Sequence, residues 1–319
     1  MIAVESVSKA YDSHSVVSNV SFTVAAGETL VLLGTSGSGK TTLLRMINRL
    51  VKPTVGTIRL DNKDVSQVKP EELRRKIGYV IQQSGLFPHY SVEQNIELVP
   101  TLLGWSHSRT KQRVRELLEV VGLEPQYAKR YPHELSGGQQ QRVGIARALA
   151  ADPPVILMDE PFGALDPITK QQMAHEFASW GVLQEKTIVM VTHDVLEAFA
   201  LGDHICLLDQ GRIQQEGTPK ELLFRPKNEF VHSFFRTQQL RLGLEVVRLK
   251  DIMGLHQPST VDDRQEGHIS RIAESASVFE ALDRLEEGKS RLIVEREGGT
   301  NVAVDRYQLL RYFLDAQHE

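Results

Sequence analysis

The chain has 319 residues, of which 41% are hydrophobic and 24% charged, and its formal net charge is -4. These values are typical of a globular protein, and the length allows one large core plus a smaller second domain. The negative net charge argues against a chain built to neutralise many phosphates, so we expect no nucleic-acid partner. With only one cysteine, Cys206, an intramolecular disulfide and a cysteine-based zinc site within one chain are excluded.

The amino-terminal stretch MIAVESVSKAYD lacks the unbroken apolar core of a secretory signal, and no run of 18 apolar residues follows it. We therefore expect a chain that is neither exported nor membrane-spanning by itself.

A glycine-rich loop follows the first strand-like segments. Residues 16–34, VVSNVSFTVAAGETLVLLG, alternate and then become fully apolar, and TTLLRMINRL has helical spacing, so the order is strand, loop, helix. The loop GTSGSGKTT fits G-x-x-x-x-G-K-T, in which backbone N–H groups surround a β-phosphate. Lys40 then reaches the β- and γ-phosphates, and the Thr41 hydroxyl binds Mg²⁺. The expected nucleotide-binding residues are Gly34, Thr35, Ser36, Gly37, Ser38, Gly39, Lys40, Thr41 and Thr42.

Residues 91–150 have a helical pattern, and RTKQRVRELLEVVGL places Val114, Leu117, Leu118 and Val121 on one face before Gly122. Within this segment, LSGGQQQRVGIARALA begins a helix with a serine and two glycines, which favours a second anion site at the helix start.

A parallel sheet resumes at VILMDEP. Its apolar strand ends in Asp159, which is placed to hold Mg²⁺, and Glu160 follows, which is placed to orient a water or accept its proton. Further on, TIVMVTH is a strand, and HICLLDQGRIQQEG is typical of a hairpin.

The last 70 or so residues have the order strand, helix, strand, strand, helix, which predicts a second domain. A helical tail with no fold of its own is the alternative.

The stretch LSGGQ, Leu135 to Gln139, resembles the signature of ABC-type ATPases, and the phosphate loop and the Asp-Glu pair occur in the order of that family. The resemblance covers residues 1 to about 235. It implies an α/β P-loop ATPase with a parallel-sheet core, an antiparallel β subdomain and a helical signature subdomain. It also implies a head-to-tail homodimer, in which ATP and Mg²⁺ lie between the phosphate loop of one subunit and the signature loop of the other.

The same resemblance assigns further roles. Tyr11 would stack on adenine, Gln82 would approach Mg²⁺ and the γ-phosphate, Asp166 would communicate across the dimer, and His193 would contact the γ-phosphate. Glu160, His193 and Lys40 would be catalytic, with Thr41, Gln82 and Asp159 around Mg²⁺. The signature residues acting on the partner's nucleotide would be Leu135, Ser136, Gly137, Gly138 and Gln139.

Two further stretches, IQQSGLFPHYSVEQNIELVPTLLGW and KNEFVHSFF, are similar to those of osmoprotectant importer ATPases, which take up glycine betaine, choline or carnitine. This similarity implies integral-membrane permease partners, indirectly a substrate-binding protein, and a location at the cytoplasmic face of the inner membrane. An amino-acid importer ATPase is the nearest alternative. A soluble ABC ATPase acting on nucleic acid or ribosomes and a small-molecule kinase are alternatives of other classes.

The chain is expected to divide into an ATPase domain, residues 1–238, and a second domain, residues 245–319. The second domain resembles one cystathionine-β-synthase-type (CBS) unit, a module that usually works in pairs, so we expect it to pair between the two subunits and to regulate transport.

Overall fold

The computed structural model describes residues 1–12, 14–82, 85–253, 269–286, 291–296 and 301–316. Two compact units are present, Met1–Thr218 and Pro219–Glu319. Within the second unit, Phe224 packs against the hydrophobic core. The expected domain limits, residues 1–238 and 245–319, stay a prediction.

The first unit contains both strands and helices. Its strands are β1 (Ile2–Tyr11), β2 (His14–Val24), β3 (Thr29–Gly34), β4 (Val55–Leu60), β5 (Lys63–Asp64), β6 (Ile77–Val80), β7 (Val155–Asp159), β8 (Thr187–Thr192), β9 (His204–Asp209) and β10 (Arg212–Gly217). Its helices are α1 (Lys40–Ile47), α2 (Pro70–Arg74), α3 (Val92–Leu102), α4 (His107–Val120), α5 (Gly137–Leu149), α6 (Pro167–Ser179) and α7 (Val195–Leu201).

The central sheet has the strand order β10-β9-β3-β8-β7-β6. All neighbours in it are parallel except β9 and β10, which form the predicted hairpin. Every residue of β7 and β8 is buried, which explains their continuous apolar sequences. The carboxyl ends of β3, β6, β7 and β8 therefore lie along one edge, and the segments that follow them carry the candidate site.

A second, antiparallel sheet has the order β2-β1-β4-β5. Its inward residues, such as Val4, Phe22 and Ile58, join Leu44 of α1 and Val189 of the central sheet in one hydrophobic core. Strand β3 before the phosphate loop and helix α1 after it therefore both contribute residues to this core.

Helices α3, α4 and α5 confirm the helical pattern of residues 91–150. Val114, Leu117 and Leu118 of α4 are buried, and the chain leaves the helix through Gly122, whose φ is 66°. Helices α3 and α5 both begin with a capping box, formed by Ser91 with Gln94 and by Ser136 with Gln139. In each, the serine hydroxyl accepts from the backbone N–H of the glutamine, and the glutamine side chain accepts from the backbone N–H of the serine.

The second unit has a core of its own. It comprises α8 (Pro219–Phe224), α9 (Glu229–Arg236), α10 (Gln239–Val246), α11 (Leu249–Met253), β11 (Ile269–Ala273), α12 (Val278–Glu286), β12 (Arg291–Glu295), β13 (Val302–Val304) and α13 (Arg306–Ala316). Strand β12 pairs in parallel with β11 and antiparallel with β13. Residues from its helices and strands, among them Leu292, Leu309 and Phe313, form one buried cluster.

The predicted order of strand, helix, strand, strand, helix is confirmed, and the alternative of a helical tail without a fold is wrong. The identification with a CBS unit stays a prediction. Of the segment assigned to it, residues 254–268, 287–290, 297–300 and 317–319 lie outside the described residues. Within the described ranges, no helix combines the length and the apolar character needed to cross a membrane.

Candidate functional site

The glycine loop, residues 34–42, connects β3 to α1, and its shape depends on glycine at two positions. At Gly34, φ is 152° and an added Cβ would lie 2.0 Å from the carbonyl oxygen of Leu208. At Gly39, φ is 95° and an added Cβ would lie 2.7 Å from the carbonyl oxygen of Val16. Any other residue would clash with backbone at both places, so the loop can fold only with these glycines.

Lys40 lies inside this loop. Its Nζ donates to the carbonyl oxygens of Gly34 at 2.9 Å and Thr35 at 2.7 Å, and to the Ser38 hydroxyl at 3.2 Å. Burial lowers the pKa of Lys40, while the carboxylates of Glu160 and Asp159 act in the opposite direction. The loop therefore presents a buried ammonium group held by oxygen atoms that a phosphate group can replace.

Asp159 ends β7 beside the start of α1. It is 3% exposed, and its Oδ1 accepts a hydrogen bond from Thr41 Oγ1 at 2.8 Å. Burial raises the pKa of Asp159, opposed by the Thr41 hydroxyl and by Arg45.

A buried carboxylate next to an alcohol fits Mg²⁺, which is commonly bound through one or two protein oxygens plus substrate phosphates. In the described part of the chain, no group of three His, Cys, Asp or Glu side chains could hold a metal by itself. The donor set at Asp159 and Thr41 therefore fits an ion whose other ligands come from a nucleotide and water.

Glu160 follows Asp159 in a left-handed backbone conformation, with φ of 47°. Its backbone N–H donates to the carbonyl oxygen of Val191 at 3.0 Å, which fixes the segment after β7 to the end of β8. Its Oε2 accepts from Gln82 Nε2 at 3.0 Å, and its Oε1 lies 3.3 Å from His193 Nδ1. Three residues named from the sequence, Gln82, Glu160 and His193, thus lie in direct contact.

The signature residues form a local structure at the start of α5. Ser136 Oγ accepts from the backbone N–H of Gln139 at 3.3 Å, and Gln139 Oε1 accepts from the backbone N–H of Ser136 at 3.0 Å. A Cβ added to Gly138 would lie 3.4 Å from Thr169, so this loop packs on the first turn of α6. Across the described ranges, no hydrogen bond or ion pair links Leu135–Gln139 to the cluster around Lys40 and Glu160.

Two other predicted site residues also lie outside that cluster. Tyr11 ends β1 with 47% of its surface exposed, and Lys9 Nζ lies 4.7 Å from the centre of its ring. Asp166 caps α6, accepting from the backbone N–H groups of Ile168 at 3.2 Å and Thr169 at 3.1 Å. Hydrogen bonds from Thr169 and then Ile168 hold the pKa of Asp166 below its usual range. The capping role was not part of the sequence interpretation.

Known proteins similar to this chain identify its family. The sequence pattern described as "ABC transporter" matches residues 17–163. The choline transport ATP-binding protein OpuBA of Bacillus subtilis is 51% identical over 264 residues, which are 82% of this chain and 69% of that protein. The chain belongs to the ABC transporter family.

Further relatives extend this ABC transporter assignment to almost the whole chain. The glycine betaine/carnitine/choline transport ATP-binding protein OpuCA of Bacillus subtilis is 45% identical over 99% of this chain and 79% of its own length. The glycine betaine uptake system ATP-binding protein YehX of Escherichia coli is 48% identical over 79% of this chain and 81% of its own length.

Solved structures of ABC cassettes share the fold of about two thirds to three quarters of this chain. A dimeric post-hydrolysis state of the cassette MJ0796, bound to ADP and Pi, matches with a TM-score of 0.62 and 36% identity. That alignment covers 68% of this chain and 98% of the other. CbiO1 of Clostridium perfringens matches with a TM-score of 0.65 and 29% identity, over 76% of this chain and 95% of the other.

The structure also adds residues to the ABC ATPase site that sequence reasoning missed. Asp209 Oδ1 accepts from Thr35 Oγ1 at 2.9 Å, which ties the phosphate loop to the end of β9. Burial, reinforced by the Asp159 carboxylate, raises the pKa of Tyr79 to about 12, while Arg45 opposes the shift. The sequence around Asp209 indicated only a hairpin turn, and the pairing of β3 with β9 that brings it to the loop has no local signal.

Proposed function

We propose that the chain is the ATP-hydrolysing subunit of a membrane importer for osmoprotectants such as glycine betaine, choline or carnitine. The observation that carries the ATPase part is the contact of Glu160 with both Gln82 and His193, next to a glycine loop that encloses Lys40. The transport part is supported by relatives whose names specify glycine betaine, carnitine or choline transport, over most of this chain.

In this proposal the phosphate loop binds the nucleotide. Lys40 exchanges its bonds to Gly34, Thr35 and Ser38 for bonds to phosphate oxygens, and the start of α1 adds its positive end. Thr41 and Asp159, with Gln82 nearby, would hold Mg²⁺, which when bound neutralises charge on the phosphates. Tyr11 supplies an exposed ring on which an adenine can stack.

Glu160 orients the attacking water and accepts its proton. The bond from Gln82 and the contact with His193 fix the two carboxylate oxygens, so that the side chain does not need to reorganise when water arrives. His193, with 54% of its side chain exposed, remains open to a phosphate group.

The second anion site acts on the nucleotide of another subunit. In the described part of the chain, Ser136 and Gln139 bond to each other and Gln139 also donates to Tyr127, and none of these bonds reaches the phosphate loop. The N–H groups in the first turn of α5 suit an anion, so we infer that its phosphate partner comes from another subunit. A head-to-tail homodimer would supply one, with Leu135 to Gln139 facing the partner's phosphate loop and Asp166 communicating between subunits. The dimeric state of the similar MJ0796 cassette supports this arrangement.

The remaining proposals concern partners. We expect integral-membrane permease subunits, indirectly a substrate-binding protein, and a peripheral location at the cytoplasmic face of the inner membrane. We expect residues 245–319 to serve as a CBS-like regulatory and dimerisation domain.

The ATPase assignment is tested by comparing Glu160→Gln with Glu185→Gln, which changes an exposed glutamate before β8. Glu160→Gln should keep ATP binding, trap the ATP-bound dimer and lower hydrolysis by a factor of roughly 100 to 1000. The control should hydrolyse ATP at the wild-type rate. Wild-type hydrolysis in Glu160→Gln would remove the general-base role.

The transport assignment is tested by uptake of labelled glycine betaine in cells at low and high osmolarity, with choline, carnitine and amino acids as competitors. Uptake that needs Glu160 and is blocked by quaternary amines supports the proposal. Competition by amino acids alone would favour an amino-acid importer instead.

A further inference from the structure

A buried charge cluster lies beside the hydrolytic site. It consists of Lys170 on α6, Thr192 at the end of β8, and Asp194 and Glu197 at the start of α7. Lys170 Nζ lies 3.0 Å from Asp194 Oδ2 and 3.0 Å from Glu197 Oε1. The Thr192 hydroxyl donates to Glu197 Oε2. Helices α6 and α7 pack against each other, and this cluster forms a polar link between them.

The cluster holds the backbone on both sides of His193. Asp194 N–H donates to Thr192 Oγ1 at 3.0 Å, and Asp194 Oδ1 accepts from the backbone N–H of Leu196 at 2.8 Å to cap α7. The two residues that flank His193 therefore have their side chains tied into one network. His193 itself reaches Glu160, with Nδ1 lying 3.3 Å from Oε1.

The charges of the cluster depend on one another. Burial raises the pKa of Glu197, which is 4% exposed. Burial lowers the pKa of Lys170 but raises that of Asp194. Attraction to the carboxylates of Glu197 and Asp194 outweighs burial at Lys170 and leaves its pKa above its usual range. At Asp194, Lys170 and the backbone N–H groups of Glu197 and Leu196 outweigh burial and leave the pKa below its usual range. Among the described residues, the ion pair of Glu197 is with Lys170. Loss of the ammonium would leave two neighbouring carboxylates without their cation, which forces a rearrangement.

Lys170 also connects to the start of α6. Its backbone N–H donates to the carbonyl oxygen of Asp166 at 2.9 Å, so it lies one turn after the capping residue. In the same turn, Thr169 packs near Gly138 of the signature loop. A continuous set of contacts thus runs from the signature loop through α6 and Lys170 to His193.

We propose that Lys170 is a positioning residue for ATP hydrolysis, which ties α6 to the residues on either side of His193 and thereby holds His193 against Glu160. The inference rests on the proposed function of Glu160 and His193. Since Lys170 forms ion pairs with protein carboxylates and its side chain is only 14% exposed, it acts on the geometry of the site and not on the affinity for nucleotide.

The test compares ATP hydrolysis by the full chain carrying Lys170→Met with that by Lys170→Arg. Lys170→Met should lower kcat by roughly 10- to 100-fold, because small displacements of a catalytic group have effects of that size. The KM for ATP should stay within about twofold of the wild-type value, since the phosphate loop is unchanged. Lys170→Arg should retain most of the wild-type kcat, because arginine keeps the positive charge between the carboxylates.

Lys186→Met provides a matched control at the other end of β8. Lys186 is 13% exposed, close to the 14% of Lys170, and donates to Asp152 Oδ1 at 2.7 Å. The Lys186→Met variant should have a lower melting temperature than the wild type but the same kcat. An equal loss of kcat in Lys186→Met and Lys170→Met would overturn the positioning role, because general destabilisation would then account for both.

A charge-balanced variant covers the case in which Lys170→Met does not fold. In Lys170→Met/Glu197→Gln the buried carboxylate is neutral, and a Gln side chain can still bond to Thr192. Its kcat should remain low, and a wild-type kcat would overturn the proposal. Glu160→Gln in the same assay separates the role of Lys170 from the proposed hydrolytic site. If Glu160→Gln loses activity and Lys170→Met does not, only the role of Lys170 is refuted. If Glu160→Gln keeps wild-type activity, the proposed hydrolytic site is refuted.

Discussion

Thr41 Oγ1 donates a hydrogen bond to Asp159 Oδ1 at 2.8 Å, although 118 residues of chain separate the two. The bond joins the first helical turn after the phosphate loop to the end of β7. It brings together an alcohol and a carboxylate that the sequence placed in different motifs, and it fixes the position of both.

Thr41→Val should weaken binding of ATP in the presence of Mg²⁺ by roughly 10- to 100-fold, since a hydrogen bond to a charged group contributes about 1.5–3 kcal/mol. Binding of ATP in EDTA should change much less, because Lys40 and the loop remain. Calorimetric titration with and without Mg²⁺ measures both values. The control is Thr187→Val. Thr187 is the first residue of β8, and its hydroxyl accepts a hydrogen bond from the backbone N–H of Gly27. Equal losses with and without Mg²⁺ in Thr41→Val would contradict the metal role.

Ser136→Ala should slow ATP turnover by at least about tenfold and leave the ATP affinity of a single subunit intact, because in the proposed head-to-tail dimer Ser136 contacts the phosphate bound by the other subunit. Loss of the cap on α5 also costs about 1 kcal/mol. Ser91→Ala removes an equivalent cap from α3, with a bond to Gln94 N–H at 3.2 Å, and controls for that stability loss. If steady-state turnover fell equally in both variants, capping alone would explain the effect.

Tyr79 should make the protein less stable as pH rises through the alkaline range. Its pKa is raised from 10.0 to about 12 in the folded state, mainly by burial. Between these values the unfolded chain releases the proton and the folded chain keeps it, so the free energy of unfolding falls with pH. Tyr79→Phe should flatten that decline, as measured by urea unfolding from pH 9 to 12. Tyr307→Phe, at a side chain 75% exposed, should not change the slope.

Phe313→Ala should destabilise the second unit by about 3–5 kcal/mol, because the ring is fully buried among residues of α11, α12 and the small sheet. The neighbouring variant Leu314→Ala, at a position 51% exposed, should cost well under about 1 kcal/mol. Thermal unfolding of the full chain, followed by calorimetry, compares the two. Similar melting curves for both variants would mean that α13 does not complete this core.

Local sequence predicted the parts of the site that local geometry determines. Gly34 and Gly39 mark the loop because no other residue fits their backbone, and Asp159 ends a fully apolar strand, which indicates a carboxylate at a sheet edge. The hairpin was predicted from Asp-Gln-Gly between two strand-like runs, and the structure has positive φ at Gln210 and Gly211.

Other features depend on which elements become neighbours, and they have no local signature. Thr35 meets Asp209 because β3 pairs with β9 across a long separation in sequence. Lys170 meets Glu197 because α6 packs on α7.

The hydrogen bonds of Lys40 within its own loop have a consequence for nucleotide recognition. The Lys40 ammonium group donates hydrogen bonds to oxygen atoms of Gly34, Thr35 and Ser38. A nucleotide that binds at Lys40 must therefore replace these oxygen atoms with its own. A ligand replaces them only if its oxygen atoms carry more negative charge than a carbonyl or a hydroxyl oxygen. We therefore expect the loop to select against nucleosides and other neutral molecules. In the proposed dimer, discrimination between a diphosphate and a triphosphate would depend on the groups around Glu160 and on the second subunit.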